Sequence, residues 1–368
     1  MVNSPRVAIT FDPHREVHCL FGLAFDAMGI DQAVSHVRRC AIERIPCFIS
    51  TPNVNWIVAA QTDMALRASV WHSDLCLADG GPIVWAARRL GVPIVERVAG
   101  SDLFDRLRRS RDGRPLKVFF FGGPEGVAER AAAVLNAEQG GLRCVGHESP
   151  GFGSVDDMSC KATIERINAS DADFVVVALG AKKGQAWIER NRHSLSAPLV
   201  SHLGAVVNFV AGDITRAPRQ LQRFGLEWLW RVKEEPALWR RYANDGIVWL
   251  RLLFRHVVPA LVVRRNEMPI VAPRIESSRA GNCVRLCLHG AWTRATMASL
   301  RTELALRLAE GFTLEVDLSN TCEVDSALVG LLVLIDGHQP KSQWIRRDVP
   351  VAPAVRRMFR ICGADRLL

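Results

Sequence analysis

Two apolar runs in close succession, each ending on small or polar residues and each followed at once by a helical pattern, constrain this chain more than any other feature. The run IPCFIS ends at Thr51-Pro52-Asn53, where Pro52 suits the first helical turn because its missing N–H has no partner there anyway. The run DLCLA ends at Asp79-Gly80-Gly81, ahead of the helical pattern PIVWAARRL. Strand-then-helix units in series predict an α/β protein with a parallel sheet, and such sheets bind ligands at the carboxyl ends of their strands. Asp79 therefore stands where a catalytic carboxylate would sit, beside two glycines that let backbone approach a ligand closely. On spacing alone, Asp79 serves equally well as the N-cap of the following helix.

Thr51-Pro52-Asn53, then Ala78-Asp79-Gly80, then Glu96-Arg97-Val98-Ala99-Gly100-Ser101-Asp102 resemble, in order and spacing, the WecG/TagA/CpsF family of bacterial glycosyltransferases. The likeness runs from about His18 to Tyr242. It implies a Rossmann-like parallel sheet and transfer of a sugar, of N-acetylhexosamine or uronic acid type, from a UDP-sugar to a polyprenyl-diphosphate-linked acceptor. Inversion and no obligatory metal or other cofactor are implied as well. In that reading Asp79 deprotonates the acceptor hydroxyl, Thr51 and Asn53 orient the sugars, and Gly80, Gly100, Ser101 and Asp102 line the substrate site.

Composition bounds the class. A chain of 368 residues, 49% hydrophobic and 23% charged, can bury a sizeable core and hold two or three domains. Its net charge of +9 comes mainly from arginine, with only six lysines among 47 basic residues. A basic balance fits nucleic acid, an anionic membrane face or a phosphorylated substrate, and composition does not choose among them. The ten cysteines are scattered, mostly in apolar runs, without a CxxC pair or zinc-like spacing, and read as reduced core thiols of a cytosolic protein. The N-terminus shows no apolar stretch of signal-peptide type.

The opening segment VHCLFGLAFDAMGIDQAVSHVRR reads as a short strand followed by a helix from near Gly29. After the central stretch, a β-rich run from Lys117 to Phe121 meets Gly122-Gly123-Pro124-Glu125-Gly126 and an alanine-rich helix. A glycine turn between strand and helix start suits an anion, since free N–H groups and the helix dipole point at it; it serves equally as a plain tight turn. The GGPEG spacing is not a dinucleotide fingerprint, which disfavours a nucleotide-dependent oxidoreductase. The strand DFVVVALG then leads into AKKGQAWIERNRHSL, where Lys183 and Gln185 stand either in the substrate site or on an exposed first helical turn. The resembled family usually has glutamate at the Gln185 position and aspartate at the Asn208 position. An amide cannot act as a base, so the alternative reading is a catalytically impaired scaffold that acts with its C-terminal domain as a binding or regulatory module.

From Arg216 the composition shifts. The next fifty residues hold eleven basic side chains against four acidic ones, with Trp228, Trp230, Trp239 and Trp249 interleaved. Arg251, Arg255 and Pro259 interrupt the segment too often for a transmembrane helix, whereas basic residues with tryptophans at helical spacing suit an in-plane helix on an anionic membrane face. No nucleic-acid-binding motif accompanies the charge. Arg216, Arg219 and Arg223 are candidates for neutralising a diphosphate. A proline-bearing linker follows, and residues from Cys283 read as strand, helix, strand and a helix capped by Asp325 or Ser326. Asp317-Leu318-Ser319 and Asp325-Ser326-Ala327 resemble a STAS domain. Ala327 stands where phosphorylated members place a second serine.

The expected organisation is a glycosyltransferase domain over 1–215, a helical basic membrane-associating appendage over 216–266, a linker over 267–282 and a small α/β STAS-like domain over 283–368. That last domain is expected to fold alone and to dock a protein partner not identifiable from sequence. The expected location is cytoplasmic, peripheral on the inner face of the cell membrane.

Overall fold

The computed structural model describes residues 11–214, 217–218, 227–234, 236–262, 271–338 and 349–368. They form two compact units. One comprises residues 28–85 and 94–249; the other gathers residues up to 27, 86–93 and 250–368.

The first unit is built on six parallel strands, β3 (Cys47–Ser50), β4 (Leu75–Cys76), β5 (Leu116–Gly122), β6 (Leu142–Glu148), β7 (Phe174–Ala178) and β8 (Leu199–His202), in the order β4-β3-β8-β7-β5-β6. Alternate side chains of these strands enter different cores. Ile49, Val118, Phe120 and Val176 pack with the helices Ile30–Glu43, Gly100–Arg109, Val127–Ala137 and Gly204–Ala211. Phe48, Phe119, Phe121, Val175, Val177 and Val200 pack with Trp187 and Ile188 of the helix Ala181–Asn191, and the Phe121 and Trp187 rings stack with centroids 4.4 Å apart. Burial on both faces is why these strands read as near-continuous apolar runs.

Direction of exit creates the crevice. After β3 the chain enters Val54–Ala59 and then Met64–Trp71, which packs on Ala181–Asn191 and so lies on the Phe48 face. After the neighbouring β8 it enters Gly204–Ala211 on the Ile49 face. Adjacent strands with opposite exits part their loops, which opens a ligand site at their carboxyl ends.

The second unit carries the pattern expected for the C-terminal segment, with one addition. Its sheet joins β10 (Cys283–Trp292) in parallel to β11 (Thr313–Asp317) and β12 (Thr321–Val324), and antiparallel to β9 (Arg274–Ala280). Residues 274–280 were expected within the linker, and the structure corrects this. RIESSRA lacks an apolar alternation because β9 keeps almost every side chain in solvent and is held by its backbone. Asp325 is the cap of helix Ser326–His338, its Oδ1 accepting from Ala327 N at 2.8 Å.

The opening segment is likewise a hairpin rather than one strand. β1 (Val17–Leu20) and β2 (Leu23–Asp26) pair antiparallel through Phe21 and Gly22, both at positive φ (52° and 78°), the signature of a type I′ turn. This hairpin packs in the same unit as the STAS-like sheet. Helix Ser326–His338 is buried all round from Ser326 to Ile335, and backbone of β1 crosses it at Gly330. A Cβ there would stand 2.9 Å from Cys19 N and 3.0 Å from His18 C. His18 Nδ1 and Ser326 Oγ lie 2.9 Å apart, and burial lowers the His18 pKa to about 4. Alanine for glycine inside a helix ordinarily stabilises by about 1 kcal/mol. Gly330→Ala is expected to do the opposite, costing about 1–3 kcal/mol through overpacking, read as a lowered midpoint in chemical denaturation.

Candidate functional site

Asp79 reaches the crevice because the β3–β4 ladder continues beyond both strands. Leu77 N donates to Ser50 O at 2.9 Å, Asp79 N to Pro52 O at 3.0 Å, and Val98 N to Ala78 O at 3.0 Å. These bonds set the three quoted motifs side by side. Arg97 then gathers their acids: its Nη2 donates to Asp102 Oδ2 at 2.6 Å, and its Nη1 lies 3.8 Å from Asp79 Oδ1 and 2.7 Å from Glu227 Oε1. Burial opposes charge on Arg97, but Glu227, Asp79 and Asp102 outweigh it and raise its pKa. One guanidinium among three carboxylates leaves the cluster negative.

Gly100 opens the helix Gly100–Arg109, so Gly100, Ser101 and Asp102 form a first turn that has no side-chain cap at Ala99. A larger residue at its start would force Thr51 or Leu203 to shift, since a Cβ on Gly100 would stand 2.9 Å from Thr51 Oγ1 and closer still to Leu203 Cδ2. Thr51 is buried beneath it. Asn53 caps the helix Val54–Ala59 by accepting from Trp56 N at 3.2 Å. Gly80 has room for a side chain, whereas Gly122 and Gly123 take positive φ (102° and 87°), and a Cβ on Gly122 would meet Ala178 O at 2.7 Å. Gly123 N donates to Ala178 O at 2.9 Å, so this N–H is turned toward β7.

Lys183 Nζ donates to Gly153 O at 2.8 Å. Gln185 is not on an exposed turn: it is 1% exposed. Its Nε2 donates to Ser50 Oγ at 3.0 Å and its Oε1 accepts from Ser69 Oγ at 2.8 Å. A neutral amide satisfies both hydroxyls without placing a charge in this buried position. His202, at the carboxyl end of β8, is also buried, and burial lowers its pKa to about 4. Arg216, Arg219 and Arg223 lie outside the described residues.

Two appendage residues belong to this unit in a way the sequence does not signal. Glu227 joins the Arg97 cluster, and Asp245 Oδ2 accepts from Asn55 Nδ2 at 2.9 Å. Both contacts span more than a hundred residues, and neither acid belongs to a motif. Arg97 was within reach of sequence reasoning, since it stands inside the quoted string.

A doubly wound parallel sheet, with a carboxylate and a helix start at the point where its strand exits diverge, defines a Rossmann-like α/β enzyme. The chain belongs to the Glycosyl transferase WecG/TagA/CpsF family, which matches residues 18–261. It is a glycosyltransferase. The description Mlab, STAS domain matches residues 275–368. The chain is similar to N-acetylglucosaminyldiphosphoundecaprenol N-acetyl-beta-D-mannosaminyltransferases from three organisms. That of Bacillus spizizenii is 30% identical over 209 residues, 56% of this chain and 79% of the relative. That of Bacillus subtilis is 27% identical over 199 residues, 54% and 76%. That of Staphylococcus aureus is 24% identical over 224 residues, 60% and 85%. Among the described residues, no helix is long and apolar enough to cross a membrane.

Proposed function

We propose that this glycosyltransferase moves an N-acetylhexosamine or related uronic acid from a UDP-sugar to a polyprenyl-diphosphate-linked acceptor, with inversion at the anomeric carbon. The observation that carries the reading is Asp79, partly buried at the carboxyl end of β4 and 3.8 Å from Arg97 Nη1. The acceptor hydroxyl attacks the anomeric carbon from the face opposite UDP as Asp79 takes its proton. Thr51 and Asn53 orient the sugars, and the first turn Gly100-Ser101-Asp102 holds the donor. The negative Arg97 cluster puts the burden of the leaving diphosphate on other cations, and Arg216, Arg219 and Arg223 are the residues we assign to it. The relatives' names, which combine an N-acetylmannosaminyl donor group with a diphosphoundecaprenol acceptor, support the substrate class. A panel of UDP-sugars with a prenyl-diphosphate-linked sugar acceptor, scored for released UDP, tests it; absence of acceptor-dependent UDP release across the panel overturns it. The burial of Gln185 weighs against an impaired scaffold, because the amide fits its neutral surroundings and need not mark lost chemistry.

The same reading seats the enzyme at the inner face of the cell membrane. Leu250, Phe254, Val258 and Leu261 are exposed and recur every three or four residues, with Arg251 and Arg255 between them. Apolar side chains in such a stripe insert at headgroup depth, and each nearby arginine adds about 1 kcal/mol on an anionic surface. Phe254→Glu is expected to abolish cosedimentation with anionic liposomes at unchanged melting temperature. Binding of the wild type is expected to weaken as salt rises, because exposed charges are screened within about 8 Å at physiological ionic strength. Full cosedimentation by Phe254→Glu removes the stripe from the membrane role.

A further inference from the structure

His36 and Cys40 lie one turn apart on the helix Ile30–Glu43, and Cys47 is the first residue of β3. The helix ends at Arg44 in the left-handed region (φ 54°, ψ 36°), and Ile45 N donates to Cys40 O at 2.9 Å. This tight reversal and Pro46 bring the strand back under the helix end, so Cys47 returns to Cys40. One ligand atom from each of the three residues lies within 4.8 Å of the others. Both cysteines are buried and His36 is partly exposed. The mechanism of transfer uses none of them.

We propose that His36, Cys40 and Cys47 bind one zinc ion. A tetrahedral zinc with Zn–S near 2.3 Å and Zn–N near 2.0 Å holds its ligand atoms on the order of 3.5–4 Å apart. The donor atoms all lie within 4.8 Å of one another, and His36 Nε2 is already 3.5 Å from Cys40 Sγ, so they are close to that spacing. Thiolates with an imidazole select a soft or borderline cation over magnesium or calcium. The spacing His-x3-Cys-x6-Cys contains no CxxC pair, which is why a reading of the chain takes these cysteines for scattered core thiols. The ion's place is structural. Cys47 begins β3 and Thr51 follows its other end, about 13 Å away for a four-residue strand, so zinc here pins helix to strand and takes no part in transfer.

Coordination has a defined cost in hydrogen bonding. Arg39 Nη2 lies 3.2 Å from His36 Nδ1, and His36 Nε2 lies 3.5 Å from Cys40 Sγ. A guanidinium only donates, so with Arg39 in place Nδ1 accepts and Nε2 carries the proton. Binding through Nε2 moves that proton to Nδ1 and displaces Arg39, which is exposed on the helix. Arg39→Ala is therefore expected to tighten zinc binding, whereas a merely packed thiol cluster would show no response.

The test uses the tag-free full chain, kept reduced, loaded with zinc, desalted and assayed for metal by mass spectrometry. Expected is one zinc ion per chain above the content of Cys40→Ser and Cys47→Ser, with Cys76→Ser unchanged. Replacement by cobalt is expected to give a thiolate-to-cobalt charge-transfer band that those two variants lack. If either cysteine variant fails to fold, His36→Ala, at a partly exposed position, and the wild-type cobalt spectrum decide. Zinc retention by the wild type no greater than by these variants, or a cobalt spectrum without the thiolate band, overturns the proposal.

Discussion

Asp79→Asn is expected to leave the protein folded and to lower the transfer rate by about 10²- to 10⁴-fold, the contribution typical of a positioned general base. Loss of the negative charge at this position removes one partner of Arg97. Asp79 is partly exposed and 3.8 Å from an arginine that keeps much closer partners in Asp102 and Glu227, and an ion pair of that kind is worth at most about 1 kcal/mol. Asparagine keeps the size and one carbonyl oxygen but cannot take a proton from the acceptor hydroxyl. Steady-state release of UDP and a melting curve on the same preparation check both halves. Wild-type turnover sinks the assignment, and a large drop in melting temperature would instead make Asp79 a helix cap.

Truncation after residue 265 is expected to abolish the soluble folded enzyme. From sequence alone, the STAS-like domain is expected to fold separately as a docking module, with turnover preserved on its removal; in the structure its elements share one compact unit with the β1–β2 hairpin, which motivates the opposite prediction. Val17, Cys19, Leu20, Phe21, Leu23 and Phe25 are each at most 1% exposed, and the elements that bury them include the helices Ser326–His338 and Pro353–Cys362. Gly22 N donates to Cys362 O at 2.7 Å, and Gly22 and Gly363 meet with no room for a side chain on either. Uncovering such residues costs roughly 1.5–3 kcal/mol for each large side chain, a total on the order of 10 kcal/mol. That matches the whole stability of an ordinary domain, about 5–15 kcal/mol. The soluble fraction after expression and the far-ultraviolet melting curve measure it. A truncated chain that stays soluble and transfers sugar at the wild-type rate would show that the hairpin is dispensable.

The parts of the fold that were legible are those whose cause is local. Apolar runs such as FVVVA and KVFFF, ended by glycine or by Thr-Pro-Asn, mark buried parallel strands because both faces of each strand are covered. The position of Asp79 follows from where its run stops. The parts that were not legible have no local period. β9 shows seven residues without an apolar alternation because its side chains face water. The β1–β2 turn places Phe21 at φ 52°, a conformation that a bulky residue seldom adopts and that a pattern search passes over. Gln185 looks like a surface glutamine at a helix start until Ser50 and Ser69 are seen to close around it.

By itself, the amino-acid sequence determined a parallel α/β protein with a carboxylate at a strand end, a basic tryptophan-rich segment and a second small α/β region, and the resemblance of its motifs added the transferase class. Turn chemistry, helix starts and runs of apolar residues act over a few positions and are written where they act. Tertiary structure alone decided which residues share a site and which segments share a core. Arg97 meets Glu227 across 130 positions, and His18 meets Ser326 across 308. Such pairings are selected by the packing of whole elements, since closing a long loop carries an entropy cost that grows only slowly with its length. Nothing in the order of residues along the chain distinguishes the partner that packing selects from others at similar separation.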